Sequence, residues 1–484
     1  MLYILYAAGA LLALLLVIIV VRTLTIPSLQ EKAQPSEAPA IIDEAAAAAH
    51  LSQAVSIPTV SKADRSQLDG QAFERFVGFL EETYPNVHRA MQRERVSDYS
   101  LLYRWEGEDT SLKPALFLAH MDVVSAGDEA EWSYPPFAGE EHDGCIWGRG
   151  TLDMKGTLVS LMEAAEALIA AGKKPRRSVY FAFGQDEEVG GHFGARRIAA
   201  LLEQRGMRFE FVLDEGLAIM KDAVPGVRQN VALIGLCERG YIDLLLTAEG
   251  EGGHSSIPPR STAIQALAGA VSRIEQHPFR VYMNGTAMKV FSYTARHMSL
   301  PYRAVFANRW LTDGIIKKLL TAEPSTTAMI RTTVVPTMIN GGTQSNVVPP
   351  KATCVLNVRI MPGETRETVV QRLNEIISDP RVTIEDYDDG YVAPTAVTSD
   401  NSPSFRRLAK TIRSVYPDTL VAPALSISGS DSAFYGGVSE NIFRFSPVVL
   451  STTDSELIHG IDERIRLEDF IREIRFYMQI LVDC

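Results

Sequence analysis

The alternation of buried strands with amphipathic helices constrains the fold of this chain more than any other feature. The apolar runs at 114–119 and 179–183 have the length and composition of buried strands. Between them, apolar residues from Leu158 to Ile169 repeat at helical spacing, and Gly172 then supplies a C-cap. Strands that alternate with helices predict an α/β domain with a mostly parallel central sheet.

A different pattern begins near Arg239. Residues 241–250 alternate between apolar and polar, and they are followed by a predicted helix at 261–276 and by further strands and a helix. This β-α-β-β-α-β content is typical of a small ferredoxin-like unit. The α/β pattern then returns, and a long helix from about Leu467 closes the chain. We therefore predict one discontinuous domain, 42–238 and 397–484, interrupted by a lid or dimerisation domain at 239–396.

The N-terminal segment MLYILYAAGALLALLLVIIVV carries no charge and is followed directly by Arg22. About 20 apolar residues are enough for a helix to cross a bilayer. A cleaved signal peptide normally has a basic start, a shorter apolar core and a small-residue cleavage site, and none of these is clear here. We predict a transmembrane anchor at 1–21 and a linker at 22–41, with a signal peptide as the alternative. Arg22 alone leaves the side of the membrane undetermined.

Composition argues against two kinds of partner or site. The formal net charge of −12 argues against nucleic acid or an anionic surface as the main partner. The cysteines are scattered and form no CxxC pair, so neither a thiolate zinc site nor a disulfide framework is expected.

Polar side chains cluster where the predicted strands end. His120 and Asp122 follow one strand and point to the same side of an extended chain. Asp153 lies in a Gly-rich loop that leads into a helix. The other such residues are Glu187, Glu188, Asp214 and His459. Because ligands of open α/β sheets bind beyond the carboxyl ends of the strands, these clusters are expected to converge on one crevice.

The donor types in these clusters suit a divalent metal. Two imidazoles and three or four carboxylates without a thiolate fit Zn²⁺ or a similar ion. One tetrahedral zinc needs only three protein ligands, so the surplus predicts two ions bridged by one carboxylate. Only Lys155 and Arg149 lie within these motifs, so salt bridges do not account for the carboxylates. Singly, Asp153 could be a helix N-cap and His459 a surface residue, but such coincidences at every strand end are not expected.

An ordered set of motifs in this chain resembles one di-zinc family. The motifs are LAHMDVV, GRGTLDMKG, DEEVGG, LDEG, GGHSSIPP, NVVPP and IHGIDE. They are similar to those of the co-catalytic zinc peptidase family that contains glutamate carboxypeptidase, aminoacylase and succinyl-diaminopimelate desuccinylase. Within that family, the chain looks most like carboxypeptidase S and the N-fatty-acyl amino acid hydrolases. The likeness runs from about residue 43 to the end, and it implies a zinc-peptidase-type catalytic domain.

The resemblance implies a role for each clustered residue. The implied ligands of two Zn²⁺, for which Co²⁺ or Mn²⁺ can substitute, are His120, Asp153, Glu188, Asp214 and His459. Asp153 would bridge the ions, and some members of the family have Glu where Asp214 stands. Asp122 would accept a hydrogen bond from His120 and fix its tautomer. Glu187 would be the general base, taking a proton from the attacking water and returning it to the leaving nitrogen.

The resemblance also implies substrate-binding residues. His254, in a Gly-rich turn, would steady the oxyanion, and Asn346 would donate an amide hydrogen bond in the same region. Arg359 stands where the family grips the substrate carboxylate. Gly429 belongs to a small-residue substrate loop. The resemblance allows a homodimer, because in the family the histidine often reaches a partner subunit's site.

The expected function is therefore that of a membrane-anchored zinc hydrolase that cleaves an amide bond next to a free carboxylate. The substrate would be a short peptide of the Gly-X type or an N-acyl amino acid. The alternative is a tethered, metal-dependent binding module that has lost catalysis. The presence of Glu187 favours the enzyme, because an inactive relative often keeps its ligands and loses its base.

Overall fold

Two large β-sheets with separate hydrophobic cores organise the chain. The structure, a computed structural model, describes residues 1–32 and 34–484, so Ala33 of the predicted linker lies outside the described residues. The helices are α1 (Leu2–Thr25), α2 (Glu44–Val55), α3 (Gly70–Thr83), α4 (Pro85–Ala90), α5 (Lys155–Ala170), α6 (Ala195–Gln204), α7 (Ala263–Gln276), α8 (Thr286–Thr294), α9 (Leu300–Ala307), α10 (Arg309–Leu320), α11 (Pro324–Ile330), α12 (Arg366–Ile377), α13 (Pro403–Val415), α14 (Thr452–Ser455) and α15 (Leu467–Asp483).

The strands share the two large sheets and two small ones. They are β1 (Gln92–Val96), β2 (Ser100–Trp105), β3 (Ala115–His120), β4 (Glu141–His142), β5 (Cys145–Trp147), β6 (Val179–Gly184), β7 (Phe211–Asp214), β8 (Ile219–Met220), β9 (Val231–Glu238), β10 (Gly240–Glu249), β11 (Gly253–His254), β12 (Thr333–Gly341), β13 (Val347–Val348), β14 (Lys351–Ile360), β15 (Val382–Asp386), β16 (Leu420–Ser426), β17 (Ile442–Arg444), β18 (Val449–Leu450) and β19 (Arg464–Arg466).

The central sheet has the order β1-β2-β6-β3-β7-β17-β9-β8-β18, and β16 also pairs with β9. Pairing is parallel from β6 through β3 and β7 to β17, whereas the pairs β1–β2, β2–β6, β17–β9 and β9–β8 are antiparallel. The α/β prediction is confirmed, and the sheet is mixed with a parallel centre. Alternate residues of β3 pack on opposite faces: Phe117 lies in the core with α5 and α15, and Leu116 in the core with α6.

The second large sheet has the order β12-β14-β10-β15, and all of its pairs are antiparallel. With α7 and α12 packed on it, the chain follows the order β-α-β-β-α-β of a ferredoxin-like unit. A capping box between Thr262 and Gln265 fixes the start of α7. The exact domain boundaries and the role of this unit as a lid or dimerisation surface remain predictions.

Four helices between α7 and β12 were not predicted from the sequence. Helices α8 to α11 occupy Thr286–Ile330, inside the ferredoxin-like order. Val290 of α8 packs in one core with Leu420 and Ala422 of β16. This insertion therefore contacts the central sheet rather than extending the smaller one.

The N-terminal helix is continuous over Leu2–Thr25, and it is long and apolar enough to cross a membrane. Among its residues, only Thr23 is buried against the rest of the chain. The same length and composition also occur in signal sequences.

Candidate metal centre and catalytic site

The polar clusters meet at one edge of the central sheet because the strands that carry them are neighbours. Strands β6, β3 and β7 lie side by side and parallel, so their carboxyl ends share one edge. His120 ends β3 and Asp214 ends β7. The turn at Glu187–Val189 follows β6. The loops that carry Asp153 and His459 complete this group of residues.

The first group of potential metal ligands consists of His120, Asp153 and Glu215. The His120 Nε2 atom lies 2.9 Å from Asp153 Oδ1 and 3.3 Å from Glu215 Oε1. His120 is 1% exposed. Burial raises the pKa of the Glu215 carboxyl well above its usual range, and the charge of Asp153 raises it further.

The first group contains Glu215, whereas the adjacent Asp214 is the ligand predicted from the sequence; that assignment stays a prediction. Asp214 Oδ2 accepts a hydrogen bond from the Ser432 backbone N–H at 2.7 Å, and Oδ1 accepts one from the Glu215 N–H at 2.9 Å. Its carboxyl is thus committed to the loop beside β7, and burial raises its pKa to about 6. The next residue, with a side chain one methylene longer, reaches His120 instead.

The second group consists of Asp153, Glu188 and His459. The His459 Nε2 atom lies 3.0 Å from Asp153 Oδ2 and 3.0 Å from Glu188 Oε2. The hydrogen bonds to Asp153 and Glu188 raise the pKa of His459 to about 10. Because Oδ1 of Asp153 faces His120 and Oδ2 faces His459, this one carboxylate joins the two groups.

Glu187 lies beside both groups without belonging to either. Burial raises the pKa of its carboxyl well above the usual range, and the charges of Glu215, Glu188 and Asp153 add to this effect. Its backbone N–H donates to Asp122 Oδ1 at 3.1 Å, and the Glu188 N–H donates to Asp122 Oδ2 at the same distance. Asp122, which is fully buried, therefore fixes the turn that presents both glutamates.

Asp122 contacts His120 differently from the prediction. The His120 Nδ1 atom lies 2.9 Å from the backbone carbonyl oxygen of Asp122 and 3.5 Å from its carboxylate. The carbonyl oxygen accepts the Nδ1–H hydrogen bond, which leaves Nε2 free to serve as a ligand. The tautomer is thus set by the Asp122 backbone, and the carboxylate chiefly holds the glutamate turn.

The donor set fits divalent cations. Ligand atoms within each group lie within 4.8 Å of one another. The two groups contain the carboxylates of Asp153, Glu188 and Glu215, and Glu187 adjoins them. Among the described residues, no Lys or Arg forms an ion pair with any of these four carboxylates. The buried Lys155 ammonium instead donates to the carbonyl oxygens of Ala54 and Ile57. So many buried carboxylates without a cation would repel one another, and bound metal ions remove that repulsion.

A buried ion pair holds the loops that carry Asp153 and His459. Arg149 Nη1 lies 2.5 Å from Glu463 Oε2, and both side chains are at most 2% exposed. Arg149 Nη2 also donates to the His459 carbonyl oxygen at 3.2 Å. Glu463 Oε1 accepts from three backbone N–H groups: those of Gly150, Leu152 and Asp153. The sequence motifs contain both residues, but only the structure shows that they contact the loops that carry Asp153 and His459.

A cavity of about 280 Å³ opens directly onto the two ligand groups. Asp153, Glu187, Glu188, Glu215 and His459 line its polar side. Its apolar side is formed by Leu152, Ala218, Val448, Leu450 and Ile458. Gly429, which the resemblance places in a substrate loop, also lines this cavity.

The other three predicted substrate residues do not line the cavity. His254 is exposed on β11, which pairs with β13, and the Asn346 carbonyl oxygen accepts from the Ser255 N–H at 3.0 Å. Arg359 lies on β14, with its guanidinium carbon 4.6 Å from the centre of the Tyr241 ring. All three belong to the part of the chain that includes the ferredoxin-like unit.

Two groups of potential ligands that share one carboxylate are typical of metal-dependent hydrolases, and this fold and site are of that class. Residues 116–483 match the family model described as peptidase family M20/M25/M40. The chain belongs to this family, and it is an enzyme that hydrolyses C–N bonds.

Curated relatives match over nearly the whole chain. A Dictyostelium discoideum protein described as probable carboxypeptidase S-like 2 is 40% identical over 438 residues, which cover 90% of this chain and 84% of that protein. A Xenopus tropicalis protein described as N-fatty-acyl-amino acid synthase/hydrolase PM20D1 is 37% identical and covers 97% of this chain and 93% of its own length.

Solved structures share the fold at low sequence identity. An M20 family metallo-carboxypeptidase from Sulfolobus solfataricus superposes with a TM-score of 0.62 and 18% identity, covering 91% of this chain and 99% of its own. A Bacillus subtilis protein described as a dinuclear metal-binding peptidase of the M20 family has a TM-score of 0.57 and 14% identity, covering 91% and 99%. At these identities the two structures support the fold alone.

Metal content will distinguish Glu215 from Asp214 as the ligand. We expect Glu215→Gln to bind less metal than the natural enzyme, because a neutral amide is a weaker ligand than a carboxylate. Asp214→Asn, the matched control one residue earlier, is expected to bind as much metal as the natural enzyme, because its amide oxygen can still accept the Ser432 hydrogen bond. Elemental analysis of the purified variants measures this, and loss of metal from Asp214→Asn alone would restore the original ligand prediction.

Proposed function

We propose that this enzyme uses two divalent metal ions, with Zn²⁺ as the native metal, to cleave an amide bond adjacent to a free carboxylate. The observation that carries the proposal is the position of Asp153, whose two carboxylate oxygens face separate ligand groups. His120 and Glu215 would complete one site, and Glu188 and His459 the other. When bound, the ions polarise the substrate carbonyl and lower the pKa of water.

Glu187 is proposed as the general base and, later in the reaction, the general acid. It lines the cavity beside both ligand groups. A buried carboxyl with a raised pKa accepts a proton from the attacking water and gives it up readily to the leaving nitrogen. Asp122 supports this role by holding the Glu187 backbone N–H, so that the carboxyl keeps its place beside the bridging Asp153.

The apolar side of the cavity supports a substrate with an apolar group next to the scissile amide. Leu152, Val448 and Leu450 form a surface on which an acyl chain or an apolar side chain is removed from water. Both an N-acyl amino acid and a short peptide meet this requirement. The relatives described as carboxypeptidase S-like and N-fatty-acyl-amino acid synthase/hydrolase support the same two substrate classes.

The carboxylate clamp and the oxyanion donors are proposed to reach the cavity from the ferredoxin-like unit. Arg359 would grip the substrate carboxylate, which requires this unit to approach the cavity when substrate binds. His254 and Asn346, which lie together at one exposed two-stranded sheet, are proposed to act at the cavity of a partner subunit in a homodimer. The helix α1 is proposed to anchor the enzyme in a membrane.

The substrate proposal is tested by hydrolysis assays on the full chain with added Zn²⁺. The panel pairs N-fatty-acyl amino acids with Gly-X dipeptides, and each compound is tested beside its carboxamide analogue. We expect cleavage of the free acids and little of the carboxamides, because a guanidinium binds a carboxylate bidentately and an amide only weakly. Arg359→Met is expected to raise KM for the acids and to leave that for the carboxamides nearly unchanged.

Two results would contradict the proposal in different ways. Equal cleavage of acids and carboxamides would contradict the role of Arg359 in binding the substrate carboxylate, but it would not contradict the hydrolase activity. Cleavage of no compound by a folded chain that holds two ions would favour the tethered binding module instead.

A further inference from the structure

The helical insertion carries an unpartnered apolar surface next to the end of α1. On α10, Leu311, Ile315 and Leu319 follow one another at every fourth residue and are 51%, 60% and 64% exposed. Trp310, at the start of α10, and Leu300, at the start of α9, are also exposed, at 54% and 58%. We call these five residues the α9–α10 patch. Large exposed apolar residues grouped on neighbouring helices mark a site of interaction on a globular protein.

The end of α1 is fixed against the same insertion. Arg22 Nε donates to the Ala307 carbonyl oxygen at 3.2 Å. The Asn308 side-chain amide donates to Thr23 Oγ1 at 3.2 Å, and Asn308 is only 1% exposed. Ala307 ends α9 and Asn308 immediately precedes α10. The junction of these two helices therefore lies beside the last turn of α1.

The length of α1 places this junction at the level of a membrane surface. Its uncharged run ends at Val21, and about 20 helical residues span the roughly 30 Å hydrocarbon core of a bilayer. Arg22, the first charged residue of the chain, then marks the boundary between hydrocarbon and head groups. Because Arg22 and Thr23 contact Ala307 and Asn308, the α9–α10 junction lies at that boundary.

We infer that the α9–α10 patch is a second membrane contact, lying in the interface of the same phospholipid bilayer that α1 spans. Trp310, at the start of α10, is of the residue type that favours the head-group level. Lys317 and Lys318 are exposed in its last turn, where long basic side chains reach toward head groups while their stems cover apolar surface. The inference rests on the proposed insertion of α1, and it is independent of the catalytic assignment.

Two contacts hold the enzyme in one orientation on the membrane, whereas a single helix and a linker would leave it free to turn. The segment after α1 is also fixed: Gln30 bonds the backbone of Val421 on β16 through both its amide oxygen and its amide nitrogen. The central sheet, with its cavity, is thus connected to the end of α1 through Gln30 as well as through the helical insertion. Amphiphilic substrates held in the membrane would then find the cavity at a fixed distance from the membrane surface.

The test uses nitroxide labels on the full chain in phosphatidylcholine vesicles. Single cysteines are placed at Ile315, at Leu12 in α1 and at the exposed Lys173 as an aqueous control, all in a Cys145→Ser background because the other native cysteines are buried. We expect the label at Ile315 to collide with oxygen more than with a water-soluble nickel complex, as the label at Leu12 does and the label at Lys173 does not. Adding Leu311→Asp is expected to shift the Ile315 label toward the aqueous pattern and to leave the Leu12 label unchanged.

Each other pattern of collisions overturns the inference for a distinct reason. A lipid-exposed Leu12 label with a water-exposed Ile315 label leaves the anchor in place and removes the second contact. Water exposure at both positions shows that α1 is not inserted, and the inference fails with it. An Ile315 label shielded from both reagents shows that protein covers the patch, and dipolar broadening between labels then identifies a second copy of the chain.

Discussion

Glu187→Gln is expected to lower kcat by about 10²–10⁴-fold while the protein retains its fold and both metal ions. The amide has the shape of the carboxyl and cannot accept a proton from water. The backbone N–H of residue 187, which donates to Asp122, is unaffected by the substitution, so the turn that carries Glu188 stays in place. Steady-state hydrolysis and elemental analysis of the same preparation measure the two quantities together.

The adjacent Glu188→Gln variant is the matched control for this experiment. It makes the same chemical change one residue away, but it removes a carboxylate that lies 3.0 Å from His459 Nε2. We expect it to lose both activity and metal. Activity near that of the natural enzyme in Glu187→Gln, with metal retained, would show that another group transfers the proton. Loss of metal from both variants would mean that Glu187 is itself a ligand.

The convergence of the site followed from the sequence because parallel strands carry their ends to one edge. His120 and Glu188 are far apart along the chain, yet β3 and β6 are neighbours, and the buried runs that form them were visible as apolar segments. Asp153 lies close to both His120 and Glu188 because a Gly-rich loop carries it to the same edge of the central sheet. The catalytic and ligand roles of these residues remain predictions that the variants above test.

The choice between Asp214 and Glu215 could not be made from the sequence. Two adjacent carboxylates at a strand end both lie near the edge of the sheet, and which one points to His120 depends on the local hydrogen bonds. Here the backbone N–H of Ser432, from a loop more than two hundred residues later, binds Asp214. No local pattern encodes a contact of that kind.

The insertion Thr286–Ile330 was missed for a different reason. Its helices are short, and although α9 and α11 have Pro in their first turns, no side-chain hydrogen bond caps the start of any helix from α8 to α11. The apolar residues of α10 also lie on two faces, since Leu311 and Ile315 are exposed whereas Ile316 is buried, so the helix has no single apolar face toward a core. A helix whose outer face contacts lipid would have this pattern.

Arg149→Met is expected to destabilise the enzyme by about 3–5 kcal/mol, because it leaves the Glu463 carboxylate buried without its cation. The loop that carries His459 loses the hydrogen bond from Arg149 Nη2 to its carbonyl oxygen, and the Glu463 carboxylate that binds the Asp153 N–H loses its cation, so metal affinity should fall as well. Urea unfolding with and without Zn²⁺ measures the two effects separately. Arg205→Met is the matched control: its partner Glu94 is 44% exposed and Arg205 itself 45%, and such surface pairs contribute at most about 1 kcal/mol.

The double variant Arg149→Met/Glu463→Gln shows whether the loss of stability in Arg149→Met arises from the buried, unpaired charge of Glu463. A glutamine at 463 is neutral, and its side-chain oxygen can still accept hydrogen bonds from the Gly150, Leu152 and Asp153 backbone N–H groups. We therefore expect the double variant to be more stable than Arg149→Met alone, although it has lost two charged side chains. If the decrease in free energy of unfolding of the double variant instead equals the sum of the decreases measured for Arg149→Met and Glu463→Gln alone, the two residues act independently. The pair would then not be what holds the Asp153 and His459 loops together.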